Sequence, residues 1–124
     1  MNILCDTNIL VEFYKNNSEV LWHLNEISSR HIAISIVTKS ELLYGAKNSQ
    51  ELSLLEQSLS ICHCYPIDAR ISLLFSELME SYAFSRNSSI PDMLIAATAI
   101  VHNLPLYTLN MERFQFIPKI WLYN

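Results

Sequence analysis

Asn2-Ile3-Leu4-Cys5-Asp6-Thr7-Asn8-Ile9-Leu10 is an apolar run broken by an acid, after which apolar residues return as Ile9, Leu10 and Phe13. The first part has the character of a buried strand, and the second has helical spacing. In an open α/β sheet, ligands gather just beyond the carboxyl ends of the strands. Asp6 therefore stands where a site would be built. Asp6, Thr7 and Asn8 are also good helix N-caps, so the junction alone leaves ligand and cap both open.

Beyond it, a helix from Ile9 to Tyr14 is expected, then a break at Asn16-Asn17-Ser18. A second helix carries Val20, Leu21, Leu24 and Ile27 on one stripe, with Trp22 off it. The short apolar run His31-Ile32-Ala33-Ile34 suits a buried strand. It leads into Ser35-Ile36-Val37-Thr38-Lys39-Ser40-Glu41-Leu42-Leu43-Tyr44-Gly45, a second strand-to-helix junction. There Thr38 and Glu41 have capping-box spacing. Gly45, the only glycine, costs roughly 1 kcal/mol inside a helix, so it marks close packing or a helix end. Leu52, Leu55 and Leu59 form another helical stripe. The alternation of Cys62-His63-Cys64-Tyr65-Pro66-Ile67 reads as a strand, and its spacing does not match zinc sites.

Asp68 reads as the cap of a long helix with Ile71, Leu74, Phe75, Leu78 and Tyr82 inward and Glu77 and Glu80 outward. Ser88-Ser89-Ile90-Pro91-Asp92 opens a nearly all-apolar helix, with Pro91 in the first turn, where its missing N–H is harmless. Asp92 is welcome there on electrostatic grounds alone. Pro105 to Thr108 is expected as a strand. Asn110 should cap a brief helix to Phe116, and Ile120-Trp121-Leu122 should be a final edge strand. The order β-α-α-β-α-α-β-α-α-β-α-β predicts an α/β fold with a mostly parallel sheet of four to five strands, helices covering both faces.

The chain of 124 residues suits one domain spanning 1–124, and 51% apolar with 16% charged residues suits a packed globule. No apolar run nears the ~20 residues of a membrane span, and no secretory leader is evident. Cys5, Cys62 and Cys64 are an odd set and no disulfide framework, which points to a reducing cytoplasm. Eight Lys and Arg against twelve Asp and Glu leave a formal charge of −4. That counts against an ordinary nucleic-acid binder, although bound divalent cations would reverse the local sign at a carboxylate cluster.

Asp6, Glu41 and Asp92 stand out by position, with Asn110 and Thr108 following the fourth strand. In a parallel sheet all can reach one edge. Grouped hard oxygen ligands suit Mg²⁺ or Mn²⁺, and clustered like charges are costly without a cation.

Four stretches carry a family resemblance: Leu4 to Leu10, Ser35 to Gly45, Pro91 to Ala97 and Leu106 to Phe114. In this order and at this length the chain resembles the PIN-domain family, most closely the VapC-type toxins of bacterial toxin–antitoxin pairs. The resemblance implies a three-layer α/β/α sandwich and a Mg²⁺- or Mn²⁺-dependent endoribonuclease leaving 5′-phosphate and 3′-hydroxyl ends. Asp6, Glu41 and Asp92 match the family's metal-site acids, with Asp6 the metal-bridging carboxylate and Thr7 or Asn8 left to cap. Asn110 falls where many members carry a fourth acid and others an Asn, and Thr108 matches a threonine that commonly orients metal waters. The resemblance also implies an RNA substrate, a cognate antitoxin and a homodimer, to which Trp22, Phe13 and Tyr14 are candidate contacts. Arg113 departs from the pattern, standing where many relatives have Asp, Glu or His, with Glu112 one position out of register as a candidate substitute.

That departure motivates an alternative, a catalytically weak or inactive PIN module that binds RNA or a protein partner. A phosphotransfer domain using Asp6 as nucleophile fits less well. One such fold wants an Asp where Asn8 stands, and another wants a mid-chain phosphorylated Asp.

Overall fold

In the computed structural model, which describes residues 1–85 and 87–124, strands of two to four residues alternate with pairs of helices. In chain order these are β1 (Ile3–Cys5), α1 (Thr7–Tyr14), α2 (Ser18–Ile27), β2 (Ile32–Ser35), α3 (Ile36–Tyr44), α4 (Ser49–Leu59), β3 (His63–Tyr65), α5 (Ala69–Tyr82), α6 (Ile90–Val101) and β4 (Leu106–Tyr107). The strands form one sheet in the order β3-β2-β1-β4. Every pairing is parallel, with Ile3 opposite Ile32, Leu4 opposite Leu106 and Ile34 opposite Cys64.

The period of two along each strand divides the core. Leu4, Ala33 and Leu106 turn to one face, where they meet Ile71 and Leu78 of α5, Met93, Ile95, Ala96 and Ala97 of α6, and Phe114. Their neighbours Cys5, Ile34 and Tyr107 turn to the other, against Ile9 and Leu10 of α1, Val20 and Leu24 of α2, Leu42 of α3 and Leu59 of α4. The sandwich of three layers is thus a direct result of strand alternation with apolar residues on both faces.

Helix starts follow side-chain chemistry. Asn17 accepts from the N–H groups of Glu19 and Val20 after the left-handed turn at Asn16. Asp68 accepts from the Ile71 N–H, and Ile71, Leu74, Phe75, Leu78 and Tyr82 turn inward as expected. Trp22 is 60% exposed, in keeping with its place off the α2 stripe.

Several boundaries differ from expectation. The first helix begins at Thr7 and its cap is Asp6 itself. Ser35, not Thr38, caps α3, because the chain turns helical directly after β2 and its Oγ meets the Val37 N–H at 3.0 Å. Thr38 and Glu41 therefore lie within the helix and form no capping box. Asn110 precedes only a 3-10 turn, Met111–Arg113, without a side-chain cap bond. The expected last strand is reduced to a parallel bridge between Leu122 and Leu106. Gly45 is the C-cap of α3 with φ of −79°, and a Cβ there would meet Leu42 O at an ordinary 3.5 Å.

Candidate active site

The chain builds the sheet outward from β1 through β2 to β3, then returns through α5 and α6 to lay β4 on the opposite side of β1. That reversal opens a crevice beyond the carboxyl ends of β1 and β4, where α/β sheets bind ligands. The residue leaving β1 is Asp6 and the residue leaving β4 is Thr108.

Asp6 is 5% exposed and both its oxygens are engaged. Oδ1 accepts from the Thr7 N–H at 2.8 Å, and Oδ2 accepts from the Thr108 hydroxyl at 2.9 Å. A carboxylate has lone pairs enough for both and for a further ligand, so cap and candidate ligand are compatible roles. The Asn110 N–H donates to Thr108 Oγ1 at 3.0 Å, which directs the Thr108 proton toward Asp6. Burial pushes the Asp6 carboxyl above the usual range against these hydrogen bonds, and the charges of Asp92 and Glu41 add to the rise.

Glu41 arrives from α3 and is held by α1. Thr7 Oγ1 lies 2.6 Å from Glu41 Oε1 and 2.9 Å from Thr38 Oγ1. A hydroxyl has one proton; Thr7 shares it between the carboxylate, the nearer acceptor, and the buried Thr38 hydroxyl oxygen. Asp92 lies in the first turn of α6, in a reciprocal capping box. The Ser89 N–H donates to its Oδ2 at 3.0 Å, and its own N–H donates to Ser89 Oγ at 3.3 Å. Arg113 Nη1 completes the set, 3.4 Å from the same Oδ2.

Asp6, Thr7, Asn8, Val11, Glu41, Ser89, Asp92 and Arg113 line one cleft of about 220 Å³. The structure thus brings together the three acids singled out in the sequence, with Thr7 and Asn8. Thr108 sits behind Asp6, and Asn110 is not among the lining residues. Glu112 is exposed and is not among the residues lining the cleft. Sequence reasoning noticed Arg113 only as a departure and did not foresee its reach to Asp92. Its one signal was a cation where the flanking stretch resembles an acidic pattern.

The donors are hard oxygens of the kind Mg²⁺ and Mn²⁺ take. Among the described residues, no three His, Cys, Asp or Glu side chains close on a single point. An ion would be held by one or two of Asp6, Asp92 and Glu41 and otherwise by water, as Mg²⁺ commonly is. Asn8 keeps a buried Oδ1 without a hydrogen-bond partner among the described residues, an acceptor suited to such a water.

The PIN domain family model matches residues 3–116, and the chain belongs to that family. It is similar to Ribonuclease VapC2 of Rickettsia felis, at 33% identity over 100% of this chain and 98% of the relative. It is also similar to Ribonuclease VapC1 of Methanocaldococcus jannaschii, at 31% identity over 97% of this chain and 84% of the relative. A solved toxin-antitoxin complex from Klebsiella pneumoniae contains a chain similar to this one, with TM-score 0.81 and 30% identity over 96% of this chain and 95% of that one. The α/β/α sandwich implied by the sequence is the one observed.

Proposed function

We propose that this protein is a Mg²⁺- or Mn²⁺-dependent endoribonuclease and the toxin of a toxin–antitoxin pair. One observation carries the reading. Asp6, Glu41 and Asp92, delivered by three separate elements, line a single cleft at the switch point of the sheet, in a chain whose relatives are named ribonucleases.

A bound divalent ion supplies a water of lowered pKa and charge to offset the phosphate. Asp6 and Asp92 are the residues that would hold it. The Thr7 N–H and Thr108 hydroxyl keep Asp6 oriented and favour its charged form despite burial. Glu41, fixed through Oε1 by Thr7, has Oε2 to orient the attacking water and take its proton. Asn110 acts through its backbone on Thr108. Such a site works mainly by positioning and charge stabilisation.

The Klebsiella neighbour is a toxin-antitoxin complex, which supports an antitoxin partner here. A groove of about 870 Å³, lined by Tyr14, Leu42, Leu54 and Leu55, shares Val11 and Glu41 with the cleft. An antitoxin segment lying in it would cover the site. Exposed Trp22 and Tyr14 suit a homodimer contact. No helix among the described residues is long and apolar enough to cross a membrane, and the cytoplasm suits the free cysteines.

Purified protein with Mn²⁺ is expected to cleave structured RNA, leaving 5′-phosphate ends, while Asp6→Ala and Asp92→Asn do not. Cleavage retained in both variants overturns the reading. Absence of cleavage by the wild type, with RNA still bound, would favour the inactive binding module that Arg113 suggests.

A further inference from the structure

We propose that the Arg113 guanidinium occupies, within this chain, the place of a divalent ion in the carboxylate cleft, so that removing its charge opens one more cation position beside Asp92. The inference deepens the metal-dependent reading above and rests on it for the identity of the cation.

Arg113 is the only cation among the described residues lining the cleft, against three carboxylates. Asp92 Oδ2 already accepts from the Ser89 N–H at 3.0 Å and faces Arg113 Nη1 at 3.4 Å. A second ion at that oxygen would have to displace the guanidinium, while Oδ1 of the same carboxylate stays available to a first ion. The pair is lopsided: the Asp92 side chain is 8% exposed and that of Arg113 48%. An anion so buried needs a fixed counter-charge, and a guanidinium supplies one at little cost in hydration.

The backbone, not the ion pair, sets this placement. The contact is single and long, whereas an arginine recruited by a free carboxylate tends to bind through both prongs at shorter range. Arg113 ends a 3-10 turn closed by its own N–H to Asn110 O at 3.0 Å. The next residue, Phe114, is fully buried in the core beside Ile117 and fixes the turn against the sheet. The backbone of Arg113 is thus held at the mouth of the cleft, within reach of Asp92. Only Nη1 has a partner among the described residues, so its other N–H groups remain for a phosphate.

The test is calorimetric titration of the whole chain with MnCl₂ alone, in wild type, Arg113→Glu, Arg113→Gln and Arg113→Lys, with circular dichroism and melting curves as fold controls. Arg113→Glu should bind one more Mn²⁺ per chain than wild type. Arg113→Gln, which removes charge without adding a ligand, should likewise take up one more Mn²⁺ per chain and bind the first about tenfold more tightly, as expected for a unit charge a few ångströms away at a partly hydrated surface. Arg113→Lys should keep the wild-type stoichiometry. If Arg113→Glu does not fold, the tightening in Arg113→Gln decides. Unchanged stoichiometry and affinity in both Glu and Gln variants overturn the inference. A wild type that binds no Mn²⁺ beside an Arg113→Glu variant that binds one would instead count against the metal-dependent reading and leave the place of Arg113 supported.

Discussion

The Thr108 hydroxyl donates to Asp6 Oδ2 at 2.9 Å across 102 residues of chain. It joins the end of the last strand to the end of the first and fixes one of the two buried acids of the cleft. Thr108→Val keeps the shape and removes the donor. An orphaned buried acceptor costs about 1–3 kcal/mol, read as a lower denaturant midpoint. Loss of an orienting partner behind a ligand typically costs 10- to 100-fold in metal affinity or activity. The acid limb of the activity profile should also move to higher pH, because Asp6 loses a bond that favours its charged form.

Asp6 also makes metal-free stability depend on pH. Its folded pKa is raised chiefly by burial, so the folded protein retains a proton that the unfolded chain releases. Stability should fall as pH rises from the ordinary aspartate value near 3.9 through the raised folded value. Asp6→Asn should flatten that part of the curve. Thermal melting of both proteins in chelator across this range checks it; a wild-type melting temperature that rises over the same window contradicts it.

Thr7 ties α1 to Glu41 on α3, at 2.6 Å. Thr7→Val should lower cleavage about tenfold by freeing the Glu41 carboxylate. The stability loss should stay near 1 kcal/mol, since Glu41 is exposed and the Thr38 hydroxyl can turn to a backbone carbonyl. Thr7→Ser, which retains the hydroxyl, should recover most of the activity, a pattern visible in initial cleavage rates.

Phe114 is fully buried directly beside Arg113. Phe114→Ala should cost about 3–5 kcal/mol through lost burial and a cavity, measured by urea unfolding. Where the variant remains folded at low temperature, its Mn²⁺ affinity should shift in the direction of Arg113→Gln, because the turn presenting the guanidinium has lost its anchor.

The short continuous apolar runs make the layers legible in the sequence, since a strand buried on both faces and a helix with one stripe leave different patterns. The three acids stand out by place: Asp6 just after a strand, Glu41 in the helix after the second strand, and Asp92 at the start of the helix leading to the fourth. Hydrogen-bond assignment was harder. Thr38 and Glu41 have the spacing of a capping box, yet Ser35 starts the helix first and the Thr38 hydroxyl turns inward to Thr7. That outcome depends on how α1 packs against α3, which local spacing does not encode. Ligand and cap were weighed as rivals for Asp6, although its two oxygens allow both. The approach of Arg113 to Asp92, 21 positions apart in the chain, likewise required the fold.

β1 has three residues and β4 two, and each runs straight into a residue at or behind the cleft. Sliding either strand by one place would exchange Leu4 with Cys5, or Leu106 with Tyr107, between the faces of the sheet and carry Asp6 or Thr108 off station. Catalysis is therefore an unusually sensitive gauge of strand alignment in this molecule. Substitutions deep under the sheet, far from any carboxylate, should silence cleavage while helical content stays near that of the parent.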